Sequence, residues 1–131
     1  MKKEFVPNEQ ALELKELGFD EQCLGYYDTE GLKISSDWYL NPQNKNSLFP
    51  EPHTTNNPKI SAPLYQQAFR WFREKYGIGS WIHHYFDMDK GTFIYSYVLT
   101  LPHRGEEYVY DTHEEAELAC LIKLIELVKK K

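Results

Sequence analysis

The chain has 131 residues, 41% hydrophobic and 15% aromatic, with 15 basic and 20 acidic side chains for a net charge of −5. That is one domain's worth of chain with enough apolar material for a core, which excludes intrinsic disorder and a small scaffold dependent on disulfide or metal staples. The acidic balance argues against nucleic acid and anionic membranes as partners, because their phosphates would be repelled.

The two cysteines, Cys23 and Cys120, lie far apart and are too few for a secreted disulfide framework, so they are expected to be reduced core thiols. Met1 to Phe5 leads into a charged helix and not into an apolar core, so no signal peptide is expected. No apolar run approaches the roughly 20 residues a membrane helix needs. The expected compartment is the cytoplasm.

The first element expected is a short helix from Pro7 to Leu17, with Ala11, Leu14 and Leu17 as a narrow apolar stripe. Gly18 is placed to end it in the left-handed conformation, with Phe19 folding back on Leu14. Two hairpins follow the same turn grammar. Cys23–Asp28 turns through Thr29-Glu30-Gly31 into Leu32–Ser35, and Ser80–Met88 turns through Asp89-Lys90-Gly91 into Thr92–Leu101. A three-residue loop ending in Gly would pair Asp28 with Leu32 and Met88 with Thr92.

Between the hairpins, Asn41 to Ala62 is rich in Asn and Pro and reads as a long loop, with Leu48-Phe49-Pro50 as an apolar anchor for a partner. A second helix runs from Pro63 to Tyr76, with Tyr65, Ala68, Phe69, Phe72 and Tyr76 as its core stripe and Gly77 as its stop. A further strand is expected at Glu107 to Tyr110. The last helix begins at a capping box, Thr112 with Glu115, and carries a wide apolar sector from Ala116 to Val128. The expected fold class is therefore α+β. It has two layers, with an antiparallel sheet of about four to five strands carrying helices mainly on one face. The order is α-β-β-α-β-β-β-α, in a single domain over residues 1–131.

The middle helix, Ala68-Phe69-Arg70-Trp71-Phe72-Arg73-Glu74-Lys75, and the start of the last, Glu114-Glu115-Ala116-Glu117-Leu118-Ala119-Cys120-Leu121, are joined by an aromatic hairpin. Together they resemble small uncharacterised phage and prophage proteins of the phage ABA-sandwich kind, over about Ser61 to Val128. The resemblance implies a small α+β domain of a bacterial host's mobile element. It brings no catalytic residues. From the second helix onward the order also matches that of a double-stranded-RNA-binding domain. The last helix of such domains starts basic to grip phosphates, whereas Thr112-His113-Glu114-Glu115-Ala116-Glu117 is acidic.

Few residue sets suggest chemistry. His83 and His84 are adjacent on a strand and point apart, and His83 and Asp87 are separated by roughly 13 Å along it, so neither pair is expected to share a metal. Glu106, Glu107, Asp111, Glu114, Glu115 and Glu117 form an acidic run that helix capping and the helix dipole already explain. A small hydrolase would need two of these carboxylates at a fixed separation in a cleft. No catalytic residue, metal or cofactor is expected.

The strand aromatics are more than one face of a small sheet needs: Trp81, Tyr85, Tyr95 and Tyr97, with Trp38, Tyr26 and Tyr27. An open face carrying them would serve as a protein contact or homodimer seam, or would stack bases. The candidate partner-binding residues are Leu48, Phe49, Trp81, His83 and Tyr85. The functional expectation is a non-enzymatic, phage-type accessory protein that binds a protein or itself.

Overall fold

The computed structural model describes residues 2–39, 60–100 and 109–130. Among them are three α-helices and two antiparallel sheets, one of three strands and one of two, so the protein belongs to the α+β class. The five strands thus fall into two sheets and do not form the single sheet expected. Which strands pair over long sequence distances depends on tertiary contacts that local pattern does not encode. The chain divides into two compact units, Met1–Gln67 and Ala68–Lys131.

In the first unit, helix α1 spans Asn8–Glu16, one residue inside the expected bounds at each end, with Pro7 at the N-cap position. Its end is the Schellman stop that Gly18 and Phe19 predict. Gly18 has φ 98°, its N–H donates to the Lys15 carbonyl at 3.0 Å, and the Phe19 N–H donates to Leu14 at 3.0 Å. Leu14 and Phe19 are both buried in this unit's core with Phe5, Val6, Ala11 and Cys23.

Strand β1 (Cys23–Asp28) lies between β2 (Gly31–Tyr39) and β3 (Ile60–Ala62). Strand β3 occupies the last residues of the stretch expected to be loop; it pairs Tyr26 with Ser61 and Gly25 with Ala62. Three residues are too short a run for periodicity to reveal. The rest of that stretch, 41–59, lies outside the described residues. Gly25 is the point of closest packing. A Cβ there would meet the Lys33 carbonyl oxygen at 3.0 Å and the Phe5 ring at 3.1 Å. The N-terminal segment is tied down by the Val6 N–H to the Pro63 carbonyl at 2.8 Å and the Tyr27 hydroxyl to the Val6 carbonyl at 2.7 Å.

Helix α2, Tyr65–Tyr76, carries the expected stripe. Tyr65, Ala68, Phe69 and Phe72 are buried, and Trp71 joins them, with its ring edge-on to Phe72 and Tyr76. Gly77, at φ 71°, closes it by donating to the Arg73 carbonyl at 3.1 Å.

In the second unit, β4 (Ser80–Asp87) and β5 (Thr92–Leu99) pair without a break, and α3 (His113–Lys129) packs on both. The Thr112 hydroxyl accepts from the Glu115 N–H at 3.1 Å, as the capping box requires. The buried side of α3 is Ala116, Glu117, Cys120, Leu121, Leu124, Ile125 and Val128. The strand expected at 107–110 is represented, within the described residues, by a single bridge. Tyr110 and Tyr95 exchange hydrogen bonds of 2.9 and 2.7 Å. None of the described helices is long and apolar enough to cross a membrane.

Both hairpin registers differ from expectation by one residue. Asp28 pairs with Gly31 and not Leu32, and Asp87, not Met88, pairs with Thr92. In each turn the aspartate side chain accepts from turn N–H groups. Asp28 Oδ1 accepts from the Glu30 N–H at 2.8 Å, and Asp87 Oδ1 from the N–H groups of Asp89 and Lys90 at 2.9 and 3.2 Å. In the second hairpin this Asx turn makes Asp87 the last paired residue in place of Met88; in the first, Asp28 is the last paired residue as expected, and its partner is Gly31 across a two-residue loop.

Candidate partner-binding site

The one-residue difference in the second hairpin decides what its faces carry. Cross-strand partners share a face. Trp81, His83 and Tyr85 lie opposite Val98, Ser96 and Ile94, while Ile82, His84 and Phe86 lie opposite Tyr97, Tyr95 and Phe93. In the expected register, Trp81, Tyr85, Tyr95 and Tyr97 would share one face. They are instead divided between two.

The predicted residues Trp81, His83 and Tyr85 do come together. All three are on β4 and on one face, Trp81 is 50% exposed and Tyr85 38%, and the His83 and Tyr85 rings are 5.4 Å apart. Ile94 and Ser96 on the same face are buried, so this face is covered along β5 and exposes its aromatic rings along β4. Leu48 and Phe49 lie outside the described residues. Tyr26 and Tyr27 belong to β1 in the first unit, Tyr27 holding the Val6 carbonyl, and the Trp38 side chain is outside the description.

The other face carries residues that the sequence reading missed. Phe86 (47% exposed) and Phe93 (49%) meet edge-on at 5.3 Å, and His84 bridges them to Tyr95 with ring separations of 6.0 Å on each side. Tyr95 in turn meets His113 of α3 edge-on at 6.0 Å, and Tyr97 stacks on Tyr110 at 6.4 Å. Helix α3 therefore starts beside Tyr95 on this face and leaves Phe86 and Phe93 beyond its end. Met88, 84% exposed in the turn, completes an apolar tip. The signal that could have revealed this tip was Asp87, whose side chain makes it an initiator of turns.

The remaining candidates have structural partners. His83 and His84 point to opposite faces, as alternation requires, and the Asp87 carboxylate is engaged with turn N–H groups. Among the described residues no group of three His, Cys, Asp or Glu is placed to hold a metal. Of the acidic run, Asp111, Glu114 and Glu115 are exposed, whereas Glu117 is buried and lies 3.3 Å from His113 Nδ1, one helical turn away. Glu106 and Glu107 are outside the described residues.

Both cysteines are buried and free. Burial pushes the Cys23 thiol up from 9.0 to about 12, with the Glu21 charge adding to it and Ser61 and Gln67 opposing. Burial likewise pushes Cys120 up to about 12, Ser80 opposing and Glu117 adding. Thiols held protonated in this way are poor nucleophiles. The Cys23 S–H donates to the Glu21 carbonyl at 3.4 Å, while Ser80 Oγ and Gln67 Oε1 are buried with no hydrogen-bond partner among the described residues.

No protein family, curated protein or solved structure matches the chain.

Proposed function

We propose that this protein is a non-enzymatic accessory protein of the phage or prophage type, working in the host cytoplasm as a protein-binding module through its β4–β5 hairpin. The observation that carries this reading is the exposure of four large aromatic rings, Trp81, Tyr85, Phe86 and Phe93, on one hairpin of two eight-residue strands. Large exposed aromatics, here two on each face, cost solubility, and they are the residue types that anchor protein interfaces. The resemblance of the α2 and α3 segments to phage proteins supports the biological setting. The net charge of −5 favours a protein over a nucleic acid as the occupant.

The test is affinity capture from a bacterial lysate at low and high salt, comparing the native chain with Trp81→Ser/Tyr85→Ser and with Lys75→Ser as a control away from the hairpin. The expected result is a discrete protein retained at both salts by the native chain and the control and lost by the double variant. Retention of nucleic acid alone, at low salt alone, would replace this reading with a base-stacking one.

A further inference from the structure

Among the described residues strand β4 pairs on one edge only, and the hydrogen bonds around β5 show which residues face the other. Tyr95 directs both its N–H and its C=O to Tyr110, away from β4. Its partner His84 is therefore at a non-hydrogen-bonded position of the β4–β5 ladder. At the far end, Gly79 accepts from the Thr100 N–H at 3.0 Å, so the odd-numbered residues are the ones bonded to β5. The backbone groups of Ser80, Ile82, His84 and Phe86 thus point outward, and none meets another strand among the described residues.

Exposed edges are ordinarily blunted by proline, lysine, a bulge or shortness. β4 has none of these. It is eight residues long, unbroken in register, and reads Ser-Trp-Ile-His-His-Tyr-Phe-Asp. β2, the long outer strand of the other sheet, has Lys33 and a break in register between Cys23 and Gly25.

We propose that a second copy of this chain occupies this edge, β4 pairing antiparallel with β4 across a two-fold axis to give a continuous four-stranded sheet. The inference rests on the hairpin being the binding surface and names its occupant and geometry. The strand itself selects both. A two-fold axis normal to the sheet places a residue opposite its own copy. With His83 on the axis, Ser80 meets Phe86 and Ile82 meets His84 of the second copy, so all four outward residues on each strand find a partner, two hydrogen bonds per pair. With His84 on the axis, Ser80 would face Met88, which is in the turn and outside the strand. The His83 register also sets Trp81 against Tyr85 twice, at the close, non-hydrogen-bonded positions where aromatic pairs gain most. The strand's one carboxylate, Asp87, then falls opposite Gly79, so no like charges meet.

The proposal is tested by disulfide trapping in the full chain. In the proposed register, His83 and its copy are about 4.5 Å apart at Cα, within the range a disulfide spans, whereas His84 and its copy are offset by two residues and beyond it. His83→Cys is therefore expected to form a covalent dimer rapidly under mild oxidation and His84→Cys at least about tenfold more slowly. The native thiols, buried and held at about 12, stay out of the reaction. In sedimentation velocity, the native chain is expected to dimerise with rising concentration. His83→Lys, which sets like charges opposite one another at an exposed position, should weaken that dimer about tenfold or more while leaving the circular dichroism spectrum unchanged. Equal trapping at positions 83 and 84, or a chain that stays monomeric at hundreds of micromolar, overturns it. If the chain is monomeric yet Trp81→Ser/Tyr85→Ser still abolishes capture of a lysate protein, the edge pairing fails and the protein-binding reading stands.

Discussion

The two hairpins start from nearly the same material, an aromatic strand closed by an aspartate and a turn ending in glycine, yet they serve opposite purposes. β1 has a strand on both sides and so little room that Gly25 cannot gain a methyl group without crowding Lys33 and Phe5. β4 has one neighbour among the described residues, and the four residues from His83 to Phe86 are exposed on both faces. The difference lies in what surrounds each strand. β1 is completed by three residues from a distant part of the chain, and its tyrosines become structural. β4 lacks a second neighbour among the described residues, and its rings remain available. An aromatic strand is therefore a core element or an exposed one according to its second edge.

The comparison can be broken or sharpened by measuring stability on each side of it. The largest effect is expected at Leu14, fully buried beside Phe19 in the first unit. Leu14→Ala should lose roughly 2–5 kcal/mol in urea unfolding. Alkaline pH comes next. Cys23 and Cys120 stay protonated in the fold up to about 12 but ionise near 9.0 when unfolded. The unfolded chain thus binds fewer protons above pH 9, and stability should fall as pH rises from about 9 to 12. The limiting slope is about 1.4 kcal/mol per pH unit for each thiol. Cys23→Ala should remove one thiol's share of that slope, and an unchanged profile would mean the thiol is not held as described.

Gly25→Ala should cost about 1–3 kcal/mol through overpacking, whereas His84→Val, on the exposed strand, should stay within about 0.5 kcal/mol of the native chain. Equal costs at the two positions would end the contrast between β1 and β4. A smaller effect is expected of Tyr27→Phe, which leaves the Val6 carbonyl without its 2.7 Å donor and should lower stability by about 0.5–1.5 kcal/mol. Trp81→Ser should be the mildest for stability, within about 0.5 kcal/mol, while removing the proposed binding anchor.

Much of this architecture was legible residue by residue. The Schellman stop at Gly18, the buried stripe of α2, the capping box at Thr112 and the α+β class all follow from interactions within a turn or two of helix, which sequence spacing encodes directly. The candidate site was legible in part. The shared face of Trp81, His83 and Tyr85 follows from strand alternation alone, which holds within a single strand whatever it pairs with. What sits on the far side of each pair does not. In the second hairpin the Asp87 side chain bonds to its own turn and the last pair moves from Met88 to Asp87, and with a period of two that one-residue shift sends Tyr95 and Tyr97 to the face away from Trp81.

By itself, then, the sequence determined the helices, their ends, the existence of both hairpins and the aromatic richness of β4, because each depends on neighbours along the chain. Tertiary structure alone decided that Ile60–Ala62 would complete the first sheet, that Glu117 would be buried against His113, and that β4 would pair only with β5 among the described residues. Those outcomes depend on which distant segments share the cost of closing a loop and burying a surface, and no local pattern carries that information.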